Sequence, residues 1–185
     1  MRRAFIAILF AAASITWAPA YAVVDITVAE VGTDVVFNVS GSLDITGFAV
    51  VNILTGPYGG VDPNSAYFFV IPAAGFTSED IGSLTGFAPF GTGGSVPGTP
   101  SGSIFGIGGG NLNLPSGYSS FDPILSTLTI PGQTFASLGL DAGVYTSGLL
   151  PSGDFIRLTI PTIPIPASMA LVASGLAVVA AMRAR

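Results

Sequence analysis

Ten carboxylates are the side chains of this 185-residue chain best placed to do acid–base chemistry: Glu30, Glu79 and eight aspartates, with no histidine, cysteine or lysine anywhere. That set excludes a good deal. Ser-His-Asp, Cys-His and Ser-Lys nucleophile systems each require a residue type that is missing. Zinc and copper sites built on imidazole or thiolate are excluded as well, and so are pyridoxal and Schiff-base chemistry. A lysine-derived isopeptide staple is impossible for the same reason. What survives is carboxylate work, either the acid/base pair of a glycosidase or calcium held by carboxylate and carbonyl oxygens. The acids are spread one per strand or turn, and only Asp62-Pro63-Asn64 and Ser78-Glu79-Asp80 group them as acidic turns. Asx-turn and capping roles account for both. The aromatics Tyr58, Tyr67, Phe68, Phe69, Tyr118 and Phe121 could line a sugar-binding face, although core packing is the commoner fate of such residues. No catalytic, cofactor-binding or metal-ligating residue is assigned, no cofactor is expected, and the chain reads as a non-enzyme.

The elements that would carry these side chains are short and extended. Val35, Phe37 and Val39 alternate with Asp34, Asn38 and Ser40, the period of a half-buried strand. Leu43-Asp44-Ile45-Thr46 continues that rhythm after Gly41-Ser42, which predicts a hairpin. Ile156, Leu158 and Ile160 alternate with Phe155, Arg157 and Thr159. Further strands are expected over 24–30, 48–54, 66–71, 104–107 and 125–130. No window of the central region has a helical period, and Gly or Pro interrupts nearly every run of ten. Many short strands between turns predict an all-β domain, an antiparallel β-sandwich of Greek-key or jelly-roll type. Leu140-Asp141-Ala142-Gly143-Val144-Tyr145 has the spacing of a tyrosine corner, with Tyr145 hydrogen-bonding back across a turn. Residues 91–110 hold nine glycines in twenty. They contain no phosphate-binding motif and read as a Gly-rich surface loop or as thin strands around Ile104-Phe105.

The two ends differ from this middle. In residues 1–22, Arg2 and Arg3 precede an apolar stretch, and Ala20-Tyr21-Ala22 puts small residues at −3 and −1 of a cleavage site, as in a secretory signal peptide. The mature chain would then begin at Val23. At the other end a proline-rich spacer, 161–168, runs into an uncharged segment, 169–182, and a basic tail, 183–185, with Arg183 and Arg185. The 16 uncharged residues from Ala167 to Met182 would form a helix of roughly 24 Å, short of a hydrocarbon core of about 30 Å. Its strong partitioners, Leu171, Val172, Leu176, Val178 and Val179, together supply about −1.5 to −3 kcal/mol. Such a helix can halt a chain during export but makes a poor permanent anchor, and the arginines would stop and orient it.

The run Ile163-Pro164-Ile165-Pro166-Ala167-Ser168, followed by an Ala/Leu/Val/Gly helix and terminal arginines, resembles the PEP-CTERM sorting signal, most nearly its Val-Pro-Leu-Pro-Ala subtype. The segments Thr134-Phe135-Ala136-Ser137-Leu138-Gly139-Leu140 and Gly143-Val144-Tyr145 are also similar to stretches recurring in ectodomains of that class. The resemblance implies a Gram-negative bacterium that makes exopolysaccharide. It further implies recognition by an exosortase, removal of the tail, and Pro164, Ile165, Pro166, Ala167 and Ser168 as the sorting motif. Where the main family has Pro-Glu-Pro, this chain has Pro164-Ile165-Pro166, which points to a subtype enzyme.

Between the ends lie residues 23–160, one domain large enough to bury a core. It carries all ten acids and one base, Arg157, for a net charge of −9. Without basic clusters to displace phosphate counterions, nucleic acid is excluded as a partner. Lacking cysteine, the exported fold must rest on its core instead of disulfides. The expected protein is therefore an exported, non-catalytic surface or biofilm-matrix component. Its processing partners would be signal peptidase and exosortase, its membrane contact a transient one through the terminal helix, and its candidate ligand exopolysaccharide. It would pass through the inner membrane to the cell envelope or extracellular matrix. A carbohydrate-binding module or adhesin is the first alternative, and a carboxylate-only glycosidase the second.

Overall fold

A computed structural model describes residues 22–48, 50–55, 57–72, 77–83, 88–109 and 111–162. Of the segments assigned to signal, sorting motif and terminal helix, only Ala22, Pro161 and Thr162 fall among these. Ala20, the 164–168 motif, Arg183 and Arg185 lie outside the described residues.

The described residues are all-β, in two sheets whose arrangement is consistent with a sandwich. The first sheet contains β1 (Val23–Val31), β2 (Asp34–Gly41), β8 (Thr99–Gly102), β11 (Ile124–Ile130), β12 (Gly143–Thr146) and β13 (Phe155–Ile160), ordered β12-β13-β1-β2-β11-β8. The second contains β3 (Val50–Thr55), β4 (Tyr58–Asp62), β5 (Tyr67–Ile71), β6 (Thr77–Ser83), β7 (Val96–Pro97), β9 (Phe105–Gly108) and β10 (Asn111–Pro115), ordered β3-β6-β10-β9-β5-β4-β7.

Alternation in the sequence becomes two apolar faces that meet. From the first sheet come Val24, Ile26, Val28, Val35, Phe37, Val39, Leu128, Ile156, Leu158 and Ile160; from the second come Val61, Phe68, Val70, Phe105, Ile107, Leu112 and Leu114, all in one buried cluster. Phe37 reaches across to Phe68 at a ring separation of 5.3 Å, and Phe68 continues to Phe105 at 6.4 Å. Burying a side chain of this size is worth about 1.5–3 kcal/mol. A line of such rings through the middle supplies cohesion in a chain that has no cysteine for disulfides.

Two features depart from expectation, and a third decides between two readings. One ladder is parallel: β1 pairs with β13, Val23 opposite Phe155 through Thr27 opposite Thr159. A parallel neighbour needs a long crossover, and here nearly the whole domain is that connection. The expected hairpin of 34–40 with 43–46 is absent. Strand β2 turns instead onto β1 through the two-residue loop Gly32-Thr33, with Gly32 at φ 65°, a left-handed conformation favoured at the first position of hairpin turns. Its far end closes at Gly41 (φ 142°), where a Cβ would lie 2.1 Å from the Val23 carbonyl oxygen. After it the amides of Leu43, Asp44 and Ile45 bond to the side chains of Tyr118, Asp154 and Ser120, so they are not free to form a ladder.

Finally, the glycine-rich stretch is not an open loop. Within 91–109 it carries β7, β8 and β9, the strand alternative of the two readings. The Gly98 amide donates to Gly59 O at 2.9 Å, tying the β7–β8 corner to β4.

Candidate functional site

Strand β5 sorts its residues by parity. Phe68 and Val70 are buried in the core, while Tyr67 and Phe69 alternate with them onto the opposite face. On β4 the register sets Gly60 opposite Phe69 and Asp62 opposite Tyr67, with Tyr58 at the strand start. On the other side β9 sends Phe105 and Ile107 inward and sets Gly106 opposite Phe69. The result is an outward-facing aromatic trio: Tyr58 and Phe69 lie 5.5 Å apart edge to face, and Tyr67 and Phe69 lie 5.9 Å apart, tilted by 43°. Tyr58 is 49% and Tyr67 38% exposed.

Glycines make this possible. A Cβ at Gly106 would stand 2.5 Å from Phe69 Cδ1, and one at Gly108 would stand 2.1 Å from Tyr67 Cδ1. The rings therefore lie over the β9 backbone, in the space side chains would have filled. Aromatic cover of glycine on a neighbouring strand also stabilises a sheet. The face that results is apolar at its mutually tilted rings and polar at its phenolic rim.

Two further groups border it. Asn113 on β10 is the register partner of Gly106. It is 1% exposed, and its Oδ1 has no hydrogen-bond partner, which is unusual for a buried acceptor. Asp62, level with Tyr67, accepts a 3.1 Å bond from the Ser65 amide. The base of the domain is elsewhere: Arg157 forms a two-pronged pair with Asp25 at 2.6 and 3.0 Å on the first sheet, and hydrogen bonding to that carboxylate, then its charge, raise the guanidinium pKa.

A second polar assembly lies where the chain leaves β2. Asp154, 3% exposed, accepts from the amides of Ala22 (2.8 Å) and Asp44 (2.7 Å). Asp44 Oδ1 in turn accepts from the Thr46 hydroxyl, the Thr46 amide and the Ser120 hydroxyl. The Thr46 hydroxyl, then its amide, then Ser120 hold the Asp44 carboxyl below its ordinary pKa. A general acid at neutral pH needs the opposite shift. The Tyr118 hydroxyl accepts from the Leu43 amide at 2.9 Å and donates to Asp122 O at 2.8 Å. Desolvation raises the Tyr118 pKa, with a smaller rise from Asp122 and Asp154 against a lowering by Leu43. These bonds fasten three loops together, and their chemistry is that of a clamp.

The structure thus gathers Tyr58, Tyr67 and Phe69 and separates them from the other aromatics expected on a sugar-binding face. Phe68 and Tyr118 are buried, and Phe121 is exposed on the Tyr118 loop. Asp62 does make the expected turn bond, whereas Ser78-Glu79-Asp80 lies within strand β6 and is not a turn. Among the described residues no three His, Cys, Asp or Glu side chains group to hold a metal ion. Tyr145 donates to Asp141 O at 3.0 Å, the bond that a tyrosine corner requires. Sequence reasoning missed Gly106, Gly108 and Asn113. The signal that could have found them is the alternation Phe105-Gly106-Ile107-Gly108, a strand with apolar residues on one face and nothing on the other. A shallow groove of about 300 Å³ on the first sheet, lined by Asn38, Ser40, Ser101, Leu125 and Thr127, offers hydroxyls without an aromatic floor. No family model, curated protein or solved structure matches the chain.

Proposed function

We propose that this is an exported, non-catalytic component of a bacterial cell envelope or biofilm matrix, and that its β-domain holds polysaccharide on the Tyr58–Phe69–Tyr67 face. One observation carries the binding half: on a solvent-facing sheet, Phe69 and Tyr67 are laid over the glycines of β9 and Tyr58 packs beside Phe69. Aromatic groups of this kind are normally turned into a core, where their burial is favourable. Sugar rings present C–H faces that pack on such surfaces, and the phenol rim can bond to their hydroxyls. The two sheets are assigned to the Greek-key or jelly-roll class.

The export half rests on the termini. Signal peptidase would cut after Ala22, the 169–182 helix would stall in the inner membrane, and an exosortase would release the chain near Pro164-Ile165-Pro166-Ala167. Intact-mass measurement of envelope material would find residues 169–185 missing. Affinity electrophoresis through gels containing the host's exopolysaccharide tests the binding half: the protein should be retarded, and a Tyr58→Ala/Tyr67→Ala variant should run freely. Equal retardation of both would rule out this face.

A further inference from the structure

Taking the aromatic face as the glycan-binding surface, we infer that its ligand is a cationic polysaccharide, a polymer of hexosamine carrying free ammonium groups. The grounds are the charges around the rings. Residues 23–160 hold ten carboxylates and a single base, and that base, Arg157, is already bound two-pronged to Asp25 on the first sheet. A uronate, sulfate or phosphate polymer therefore meets no available arginine or lysine here and a field of the wrong sign. An ammonium meets the reverse. Aromatic faces attract cations through the ring quadrupole, and Tyr58 and Tyr67 flank Phe69 at 5.5 and 5.9 Å, so three such rings are grouped on one face. Asp62 supplies a carboxylate level with Tyr67 in the β4–β5 register. The domain charge of −9 adds long-range attraction along the polymer.

A neutral glycan would use the same rings but gain nothing from Asp62 or from the net charge. That contrast defines the test. Binding of the exported protein is measured by calorimetry, at mildly acidic pH, against four β-1,4-linked hexamers: glucosamine, N-acetylglucosamine, glucose and mannuronate. Glucosamine should bind best, roughly 5- to 25-fold tighter than its N-acetylated form if two rings each contribute a cation–π contact. Raising salt from about 0.01 M to about 0.1 M shortens the screening length from about 30 Å to about 10 Å and should weaken glucosamine binding while leaving glucose unchanged.

Asp62→Asn keeps an oxygen for the Ser65 amide, so the turn survives, and it should lower affinity for glucosamine alone. Tyr67→Ala should lower affinity for every hexamer that binds. Equal binding of glucose and glucosamine, with no effect of Asp62→Asn, would overturn the cationic assignment and leave the aromatic face standing. Preference for mannuronate would overturn it too. Failure of all four hexamers and of the host polysaccharide, with Tyr67→Ala indistinguishable from wild type, would remove the face itself as a glycan site.

Discussion

Replacing Tyr118 by phenylalanine isolates one hydroxyl and should cost the domain about 2 kcal/mol. The hydroxyl sits at the junction of two loops, accepting from the Leu43 amide at 2.9 Å and donating to Asp122 O at 2.8 Å. Leu43 is fully buried, so its amide would keep no partner and no water. A net hydrogen bond is worth about 0.5–1.5 kcal/mol, and a buried donor left unmade costs about 1–3 kcal/mol. The phenyl ring fills the same space, so no cavity is added. For a domain of this length about 2 kcal/mol corresponds to a melting shift of roughly 7 °C. Because the only tryptophan, Trp17, lies outside residues 23–160, far-UV circular dichroism in urea is the suitable readout. A loss below about 0.5 kcal/mol at unchanged denaturant slope would refute the clamp, since surface substitutions reach that size.

The same variant has a pH signature. Burial raises the Tyr118 pKa above its ordinary value, so the unfolded chain releases this proton first as pH rises. Stability from the group is therefore complete below about pH 10 and declines above it. The alkaline decline should be shallower in Tyr118→Phe, with a remainder from Tyr145, whose pKa is raised by desolvation and then by Asp141.

Other substitutions sort by what they touch. Phe37→Ala removes the ring that joins the two sheets and should cost about 3–5 kcal/mol, a large share of the stability of a typical domain; little folded protein should be recovered on purification. Asp25→Asn breaks the Arg157 pair, but with the two side chains 36% and 43% exposed the loss in urea titrations should stay under about 1 kcal/mol. Gly108→Ala places a methyl group 2.1 Å from Tyr67 Cδ1. It should alter the tyrosine near-UV signal and weaken glycan retention while the far-UV spectrum keeps its β form.

Much of the fold was legible because burial on one face leaves a period of two in the text. Alternation alone puts Val35, Phe37 and Val39 on one face, and likewise Ile156, Leu158 and Ile160, and the structure buries all six. The Leu140-to-Tyr145 spacing likewise announced a bond that closes a turn. What alternation cannot reveal is partner choice. Leu43-Asp44-Ile45-Thr46 has a strand's pattern, yet three of its amides are captured by Tyr118, Asp154 and Ser120, each at least 75 positions away. Nor could β13 be paired with β1 in parallel from either strand alone, since both have ordinary antiparallel composition.

The candidate site was half legible for a related reason. Its tyrosines and phenylalanine were visible as chemistry, but whether a ring faces a core or a solvent depends on the strand beside it. Phe68 and Phe69 are adjacent and chemically identical; only the register decides that Phe68 packs on Phe37 while Phe69 covers Gly106. The glycines of β9 carry that decision, because a strand with Phe105 and Ile107 on one face and no side chains on the other must be roofed by its neighbour or left as bare backbone. A glycine-rich run is therefore ambiguous by itself: it reads as a loop until its alternate residues are seen to be large and buried. The aromatic surface follows from that emptiness, and it stays on the outside because the inward positions of the same strands already fill the core.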